Sequence, residues 1–269
     1  MRSDIQIVKE HYNENPKIEW DRLQKKHPYE KYITIKIMDK YIKDGDSILD
    51  IGGGPGHYSI HYALMNHDVT LLDLSDENIK FAKNKSRQYK TKLKAIVGNA
   101  LDLSQFTDES FDVVFLMGPI YHLIDEEDRI RALQEAKRVL KKDGHLFTSF
   151  IMMYGGLIYD LRDLPKVVFK DAPYFDVVGN GESLSFKAFT NAYMSSISDS
   201  EELINKIDGL KIITEFSQEG ILAPYMHNLE KLTKAERIAW YDVSYSLCER
   251  KEYLSHGEHL MIVSKKIKW

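Results

Sequence analysis

The sequence has very little cysteine, since Cys248 is the only one among 269 residues. A single cysteine excludes an internal disulfide and a zinc site built from several cysteines, so we expect Cys248 to serve in packing. Long hydrophobic runs are also missing, because no apolar stretch approaches the roughly 18 residues that a membrane helix needs. The first ten residues are too polar for a signal peptide. These absences together predict a cytoplasmic protein that does not associate with a membrane.

An excess of basic residues is missing as well. The chain has 37 Lys and Arg against 41 Asp and Glu, a formal net charge of -4, which disfavours nucleic acid as a partner. The hydrophobic content of 43% and the charged content of 29% are typical of a globular protein, and the length suits one α/β domain. We find no internal repeat and no convincing metal-ligand spacing, so we predict no metal site. The oligomeric state stays open at this point.

The most informative stretch is an apolar strand at residues 48–51, followed by four glycines, a proline and a helical pattern that begins at Tyr58. Strand, glycine turn and helix in this order bring bare backbone against a nucleotide-like ligand, because glycine tolerates positive φ and has no Cβ. Asp50 is the one charge at the end of the strand, and we expect it to hold a polar group at the turn. The alternative is an ordinary glycine-rich turn. The predicted ligand contacts here are Asp50, Gly52, Gly53, Gly54 and Gly56.

The glycine spacing distinguishes between two kinds of ligand. A dinucleotide fingerprint, Gly-x-Gly-x-x-Gly, would need its third glycine where His57 stands, so an NAD-dependent oxidoreductase is disfavoured. The next apolar strand, residues 69–73, ends in Asp73, and an acid at this position accepts hydrogen bonds from ribose hydroxyls. His57 and His61 share the spacing of neighbours on one helix face, so we interpret them as helix residues, with His57 near the ligand, rather than as metal ligands.

Two stretches carry a resemblance to a known family. The pattern Asp-x-Gly-x-Gly-x-Gly at residues 50–56 resembles motif I of the class I S-adenosylmethionine (SAM) methyltransferases. Met-Gly-Pro-Ile-Tyr-His-Leu at residues 117–123 and Glu-Ala-x-Arg-Val-Leu-Lys-x-x-Gly at residues 135–144 are similar to the bacterial ubiquinone/menaquinone-methyltransferase-like, type 11 subgroup. The resemblance covers about residues 46–150. It implies an α/β fold with a Rossmann-like, doubly wound, seven-stranded sheet, mostly parallel with an antiparallel last strand between the fifth and the sixth, plus a helical cap.

The resemblance also implies the cofactor, SAM, with S-adenosylhomocysteine as the product. The glycine turn would meet the methionine part of SAM, and Asp73 would accept hydrogen bonds from the ribose hydroxyls. In the family, the turn after the third strand often carries an acid and then an alanine, which meet the adenine. Here Asn99 stands in place of the acid, and its amide can both accept and donate a hydrogen bond. The further cofactor contacts that the resemblance implies are Leu74, Ala100 and Met117.

The candidate catalytic residues follow the fourth strand. Gly118 and Pro119 end that strand at its carboxyl end, where α/β sheets bind their ligands, so Tyr121 and His122 should lie at the mouth of the site. An unperturbed imidazole titrates near neutral pH, which makes His122 the candidate general base. Tyr121 could line the cofactor or substrate pocket. The alternatives are that His122 only packs or hydrogen-bonds the cofactor or lid, and that Tyr121 only packs.

We predict a single catalytic domain over residues 1–269, with its core at about 33–151 and 199–269 and a cap from 1–32 and 152–198. Both cap segments are rich in aromatic or histidine side chains and lie outside the expected strand and helix order, so they should close over a substrate. A solvated amphipathic helix is the alternative for the first of them. The candidate substrate-binding residues, suited to an anionic or aromatic molecule, are Tyr12, Trp20, Arg22, His27 and Tyr193.

The boundaries of several later elements are also predicted. Apolar spacing predicts a helix at residues 126–142, followed by the fifth strand at 145–151. A helical run is expected at residues 157–169. A capped helix is expected at residues 200–207, with Asp199 or Ser200 as its N-cap.

The leading functional prediction is a SAM-dependent methyltransferase that acts on an oxygen or nitrogen atom of a small molecule. The cap segments would enclose a pocket, which suits a small substrate better than a macromolecular surface. An RNA or protein methyltransferase is the first alternative, and the acidic charge balance argues against it. A SAM-binding regulatory protein without catalysis is the second alternative.

Overall fold

A β-sheet with helices on both faces forms the part of the chain that this computed structural model describes, residues 3–166, 184–187 and 190–268. Nine strands occur within those residues. They are β1 (Ser47–Ile51), β2 (Asp68–Asp73), β3 (Leu93–Val97), β4 (Phe111–Leu116), β5 (Leu140–Met152), β6 (Leu184–Lys187), β7 (Asn191–Ser195), β8 (Leu210–Ser217) and β9 (His259–Lys266).

Helices connect most of the strands. They are α1 (Ser3–Glu14), α2 (Pro16–Asp21), α3 (Pro28–Met38), α4 (His57–Leu64), α5 (Asp76–Tyr89), α6 (Glu126–Val139), α7 (Met153–Asp163), α8 (Ile197–Asn205), α9 (Met226–Leu229) and α10 (Lys234–Leu247). A π-helical turn, Arg22–Lys26, joins α2 to α3, and a 3-10 turn, Pro119–His122, follows β4. Among the helices described, none is long and apolar enough to cross a membrane.

Seven of the strands form the predicted sheet. β3, β2, β1, β4 and β5 lie side by side in this order and are parallel. β9 is antiparallel to both of its neighbours, β5 and β8, so the last strand lies between the fifth strand and β8. The predicted fold class, a mostly parallel doubly wound sheet with an antiparallel last strand, is confirmed. Because the strand order reverses between β1 and β4, their carboxyl ends border the crevice where such sheets bind ligands.

The sheet is buried on both faces, which explains why its central strands read as almost continuous apolar runs. Leu49 of β1 points to one face, where it belongs to the same apolar cluster as Leu133 of α6. Ile48 points to the opposite face and joins Ile37 of α3 and Tyr62 of α4. The successive side chains of one strand thus anchor helices on opposite sides of the sheet.

β6 and β7 form an additional hairpin beside the carboxyl end of β4. Ile151 of β5 pairs with His259 of β9 on one side and with Met194 of β7 on the other. On that second side, the residues of β5 up to Thr148 pair with β4. The hairpin therefore continues the sheet where β4 has ended, and it accounts for the two strands beyond the predicted seven.

The boundary between α6 and β5 differs from the prediction. The helix ends at Val139 instead of residue 142, and the strand begins at Leu140 instead of residue 145. Leu140 pairs with Phe111 across an irregularity in the β4–β5 register. Pairing with a neighbouring strand, a tertiary contact, thus overrides the local helical spacing of these residues.

Two further helix boundaries were also predicted incorrectly. α7 begins at Met153 and ends at Asp163, whereas the sequence favoured residues 157–169. α8 begins at Ile197, because Ser196 caps it and forms a capping box with Asp199. Residues 167–183 and 188–189 of the predicted cap lie outside the described residues. The division of the chain into a core and a cap stays a prediction.

Candidate active site

A cavity lies at the carboxyl ends of β1, β2 and β4, with α1 and the start of the π-helical turn on its other side. It encloses about 1120 Å³ of space, part of which is open to solvent. Most of the predicted site residues lie on its wall. They are Tyr12, Arg22, Asp50, Gly52, Gly53, Gly54, Asp73, Leu74, Asn99, Ala100, Met117, Tyr121 and His122.

The other predicted site residues are not part of the wall that the described residues form. Gly56 is the N-cap of α4, and Trp20 stacks on His57 with ring centroids 3.9 Å apart. His27 packs against a tyrosine in the N-terminal segment. The ring of Tyr193 lies 3.7 Å from the guanidinium carbon of Arg129, beside α6. Trp20 thus contacts His57, which does line the cavity.

The glycine turn presents bare backbone to the cavity. Gly52 and Gly54 have φ values of 68° and 57°, which side chains rarely tolerate. A Cβ on Gly53 would collide with the carboxyl group of Asp50. A Cβ on Gly54 would instead point into open space, where the nearest atom is Nδ2 of Asn78 at 3.8 Å. The space beside Gly54 is therefore part of the cavity and available to a ligand.

Asp50 offers a buried acceptor to this cavity. Its side chain is 1% exposed, and its Oδ2 accepts a 2.6 Å hydrogen bond from the hydroxyl of Ser59. Its Oδ1 has no hydrogen-bond partner within the described residues. Burial raises the pKa of Asp50 to about 7. A ligand that carries a positively charged donor, such as an ammonium group, would satisfy Oδ1 and favour the ionised carboxylate.

The carboxylate of Asp73 is fixed by hydrogen bonds from nearby groups of the protein. It accepts hydrogen bonds from the backbone N–H groups of Gly54 and Ser75, both at 2.8 Å, and from Nδ2 of Asn78 at 3.2 Å. Burial raises its pKa. A carboxylate has about four lone-pair sites, so these bonds leave room for about one more donor. Oδ1 of Asn78 is buried at the cavity wall and is unpartnered among the described residues, which supplies a second acceptor beside Asp73.

Asn99 stands at the opposite end of the cavity from Asp50. Its side-chain oxygen accepts a 3.0 Å hydrogen bond from the backbone N–H of Leu101. That bond fixes the direction of the amide, which keeps a second lone pair and its own NH₂ donors. Ala100 and Leu72 supply apolar surface beside it. An amide next to apolar surface suits a flat heterocycle such as adenine.

His122 is locked between two partners from distant parts of the chain. Its Nδ1 lies 2.9 Å from the carbonyl oxygen of Asn191, which can only accept, so Nδ1 carries the proton. Its Nε2 then accepts a 2.7 Å hydrogen bond from the hydroxyl of Tyr12. Burial lowers the pKa of His122 to about 4. The imidazole is therefore neutral and is a weaker base than the sequence led us to expect.

Tyr121 lines the cavity beside His122, with ring centroids 4.7 Å apart. Burial raises the pKa of the Tyr121 phenol, so the hydroxyl keeps its proton at neutral pH. Tyr121 also packs against the cluster that contains Met153 and Met194. It can serve as a hydrogen-bond donor and as an apolar wall.

Contacts from the N-terminal segment fasten it over the cavity. The carbonyl oxygen of Trp20 accepts a 2.6 Å hydrogen bond from Nε2 of His57, beside the glycine turn. Oδ1 of Asn13 accepts a 2.7 Å bond from the hydroxyl of Ser75, at the start of α5. Tyr12 adds the bond to His122 described above. These contacts hold α1 and α2 against each side of the site.

The cavity wall also contains residues that were not predicted from the sequence, among them Asn78, Ser75 and Glu19. A local signal existed for the first two. Ser75 caps α5 directly after Asp73, and Asn78 lies in the first turn of that helix, which therefore faces the same strand end. Glu19 had no such signal, because only the fold of the N-terminal segment brings it to the site.

The strand ends of this site lie in a region that matches a known family. A family model described as a methyltransferase domain matches residues 49–148. Residues 49–148 form a class I methyltransferase domain. The match runs from β1 into β5 and includes the glycine turn, Asp73 and His122. The predicted class, the enzyme type and SAM as the cofactor are confirmed for this domain.

Curated relatives match a part of the chain. An uncharacterized protein from Methanocaldococcus jannaschii is 36% identical over 164 residues, which is 61% of this chain and 57% of the relative. A ubiquinone biosynthesis O-methyltransferase from Xanthomonas oryzae is 32% identical over 130 residues, 45% of this chain and 53% of the relative. The chain thus spans about half the length of these curated relatives.

A solved structure has a similar fold over almost the whole chain. It is a SAM-dependent methyltransferase, a possible histamine N-methyltransferase, from Thermotoga maritima. The alignment has a TM-score of 0.60 and 17% identity, and it covers 96% of this chain and 99% of that one. At this identity the likeness establishes the fold of the methyltransferase domain and of the strands that follow it.

The cavity residues fit SAM. The unpartnered Oδ1 of Asp50 can accept from the amino group of SAM, and the open space beside Gly54 can take its methionine part. Asp73 and Asn78 offer neighbouring acceptors for ribose hydroxyls. The methyltransferase domain therefore contains the groups that its cofactor needs.

Proposed function

We propose that the chain is a SAM-dependent methyltransferase whose acceptor is an oxygen or nitrogen atom of a small molecule. The observation that carries the proposal is the fastening of α1 and α2 over the cavity through Tyr12, Asn13 and Trp20. A site enclosed in this way admits a small molecule more readily than a folded macromolecule.

The relatives support this choice of acceptor. One is a ubiquinone biosynthesis O-methyltransferase, and the Thermotoga structure is described as a possible histamine N-methyltransferase. Both names refer to small acceptors, one with oxygen and one with nitrogen as the methylated atom. The two names and the enclosed site support a small-molecule acceptor, and the acceptor atom stays either oxygen or nitrogen.

The chain's own residues would hold the two reactants in line and exclude water. SAM supplies a methyl group on a positively charged sulfur. Asp50 would hold the amino group, Asp73 and Asn78 the ribose, and Asn99 with Ala100 the adenine. The acceptor would then lie between the glycine turn and Tyr121, where Tyr12 and His122 line the cavity.

The pair formed by Tyr12 and His122 would orient the acceptor. Nε2 of His122 accepts a hydrogen bond from the Tyr12 hydroxyl. The lone pairs of the Tyr12 oxygen therefore remain free to accept a hydrogen bond from an O–H or N–H group of the methyl acceptor. Because the pKa of His122 is about 4, direct general-base catalysis by this imidazole is the less favoured role. Tyr121 would close the other side of the acceptor site.

The decisive experiment measures binding first and turnover second. Calorimetry should show that S-adenosylhomocysteine and SAM bind, and that NAD does not. Incubation with SAM labelled on the methyl group and a small-molecule metabolite extract should then give a labelled product of low molecular mass. Labelling only of protein or RNA added in parallel would refute the small-molecule proposal and leave the cofactor assignment intact.

A further inference from the structure

A cluster of four charged side chains, Arg22, Glu30, Glu219 and His259, adjoins the cavity, and Arg22 is the member that lines it among the described residues. Arg22 donates from Nη1 and Nη2 to the two carboxylate oxygens of Glu30, at 2.6 and 3.3 Å. Nδ1 of His259 lies 2.6 Å from Oε1 of Glu219. Ligand atoms of Glu30, Glu219 and His259 all lie within 4.8 Å of one another, so the two ion pairs form one group.

The fold holds the imidazole of His259 at two points. The backbone N–H of His259 donates to Oε2 of Glu219 at 3.0 Å, while the ring contacts Oε1. A Cβ on Gly257 would lie 2.7 Å from Oε2 of Glu219, so a glycine is needed for this approach. Because Nδ1 is occupied by Glu219, the opposite ring nitrogen, Nε2, is directed away from it.

The cluster is asymmetric in its exposure. The side chains of the acids are almost fully buried, with 4% exposure for Glu30 and 0% for Glu219. The cationic side chains keep accessible surface, 30% for Arg22 and 15% for His259. The negative charges therefore lie at the back and the positive charges at the front. Glu19, whose Oε2 is 3.5 Å from Nε of Arg22, is an acid on the front side and offsets part of this positive charge.

The front of the cluster adjoins the proposed acceptor site. Arg22, Tyr58 and Tyr121 all line the cavity. The rings of Tyr121 and His259 have centroids 6.3 Å apart. The hydroxyl of Tyr58 is buried, makes no hydrogen bond of good geometry within the described residues, and interacts with Arg22, Glu30 and the side chain of Thr34. It is an additional donor for a ligand near Arg22.

Burying four charges costs free energy that a well-packed apolar core would not require. Such clusters beside a ligand cavity are candidate functional sites for this reason. Burial alone would lower the pKa of His259, but the charge of Glu219, and to a smaller extent that of Glu30, raises it to about 9 against the opposing effect of Arg22. His259 is therefore an imidazolium at neutral pH and offers an N–H donor.

Building on the methyltransferase function proposed above, we propose that Arg22 and His259 form a subsite that binds an anionic oxygen group, a carboxylate or a phosphate, of the methyl acceptor. Glu30 and Glu219 hold the two cationic side chains in place from behind. Tyr58 adds its hydroxyl as a third donor. The subsite would fix one end of the acceptor while the methylated atom lies next to Tyr12.

The test uses the full chain saturated with S-adenosylhomocysteine, and acetate and inorganic phosphate as probes at constant ionic strength. NMR spectra of protein with ¹⁵N-labelled histidine follow the Nε2 signal of His259. We expect at least one probe to shift this signal saturably. Arg22→Gln and His259→Gln should each weaken the binding of that probe by about tenfold or more, because each removes one charge-assisted hydrogen bond. Arg87→Gln, on the exposed face of α5, is the matched control and should change nothing.

The two probes distinguish a carboxylate from a phosphate ligand. Affinity for S-adenosylhomocysteine should stay within a few-fold in every variant, which shows that each is folded. If neither probe bound saturably, or if both variants bound like the unchanged protein, the subsite would be refuted. Tight binding of Zn²⁺ alone, lost in Glu219→Gln, would also overturn it in favour of a metal site. Failure of the unchanged protein to bind S-adenosylhomocysteine would instead refute the proposed function.

Discussion

Replacement of Asp73 by asparagine tests the cofactor site most directly. The change keeps the size of the side chain but removes its charge and converts one oxygen into an NH₂ donor. In the structure, Oδ2 faces the N–H of Gly54, and Oδ1 faces the N–H of Ser75 and Nδ2 of Asn78. Both oxygens thus face donors, so whichever way the new amide turns, a donor meets a donor.

The expected loss follows from the hydrogen bonds involved. Each bond to a charged group contributes about 1.5–3 kcal/mol, and an approximately 1.4 kcal/mol loss is a factor of ten in affinity. Loss of one hydrogen bond to the ribose should therefore weaken the binding of S-adenosylhomocysteine by about tenfold to a hundredfold. Displacement of the glycine turn, whose Gly54 N–H loses its acceptor, should add to this loss. Unfolding in denaturant should show a decrease in stability as well.

Calorimetry on the variant and on a matched control measures these effects. Asp76→Asn is the control, because Asp76 lies at the start of the same helix, is 47% exposed and forms a surface salt bridge with Lys9. This control should lower the free energy of unfolding by less than about 1 kcal/mol. If folded Asp73→Asn bound S-adenosylhomocysteine within about twofold of the unchanged protein, the acid would serve the glycine turn alone and the ribose assignment would be wrong.

Three other outcomes are expected. His122→Ala should slow turnover by about a hundredfold with little change in SAM affinity. With SAM at saturation, the rate of the unchanged protein should be flat from about pH 5.5 to 8, since the pKa of His122 is about 4; an acidic limb near the ordinary histidine pKa would contradict this. Tyr12→Phe should slow turnover as much as His122→Ala in a steady-state assay if the two residues act as a pair. A much smaller effect of Tyr12→Phe would show that they act independently. Asp50 has a folded pKa of about 7, above its unfolded value, so the ligand-free protein holds an extra proton and loses stability as pH rises from about 4 to 7. Asp50→Asn should reduce this pH dependence in thermal unfolding, to which Glu215 and Glu258 also contribute because burial raises their pKa values to about 7, and it should weaken the binding of SAM; an unchanged profile would show that Asp50 does not contribute.

The part of the site that could be predicted from the sequence is local. Asp50, the glycines and Asp73 lie at the ends of strands that their own apolar runs identify, and parallel strands bring those ends together. Asn99 and Ala100 follow in the same way from the next strand. In each case, the neighbours in the chain and the regular geometry of the sheet determine the position.

The part that could not be predicted depends on contacts between distant segments. Tyr12 and His122 are 110 residues apart, and nothing in either local pattern indicates that they meet. The same holds for Glu30 and His259, which come together only when α3 and the start of β9 meet near the carboxyl end of β5. The start of β5 at Leu140 is a third case, since pairing with Phe111 replaces the expected last turn of the helix. Sequence periodicity reports which face of an element is buried, but not which partner buries it.

The carbonyl oxygen that fixes the proton on His122 belongs to the backbone of Asn191, in the hairpin of β6 and β7. A backbone carbonyl is supplied by every amino acid, so substitution at this position leaves the tautomer of His122 unchanged. The hairpin can therefore diverge in sequence without disturbing the proton position on the histidine. Only a change in the path of the chain, such as an insertion or deletion before β7, would move the proton to the other ring nitrogen.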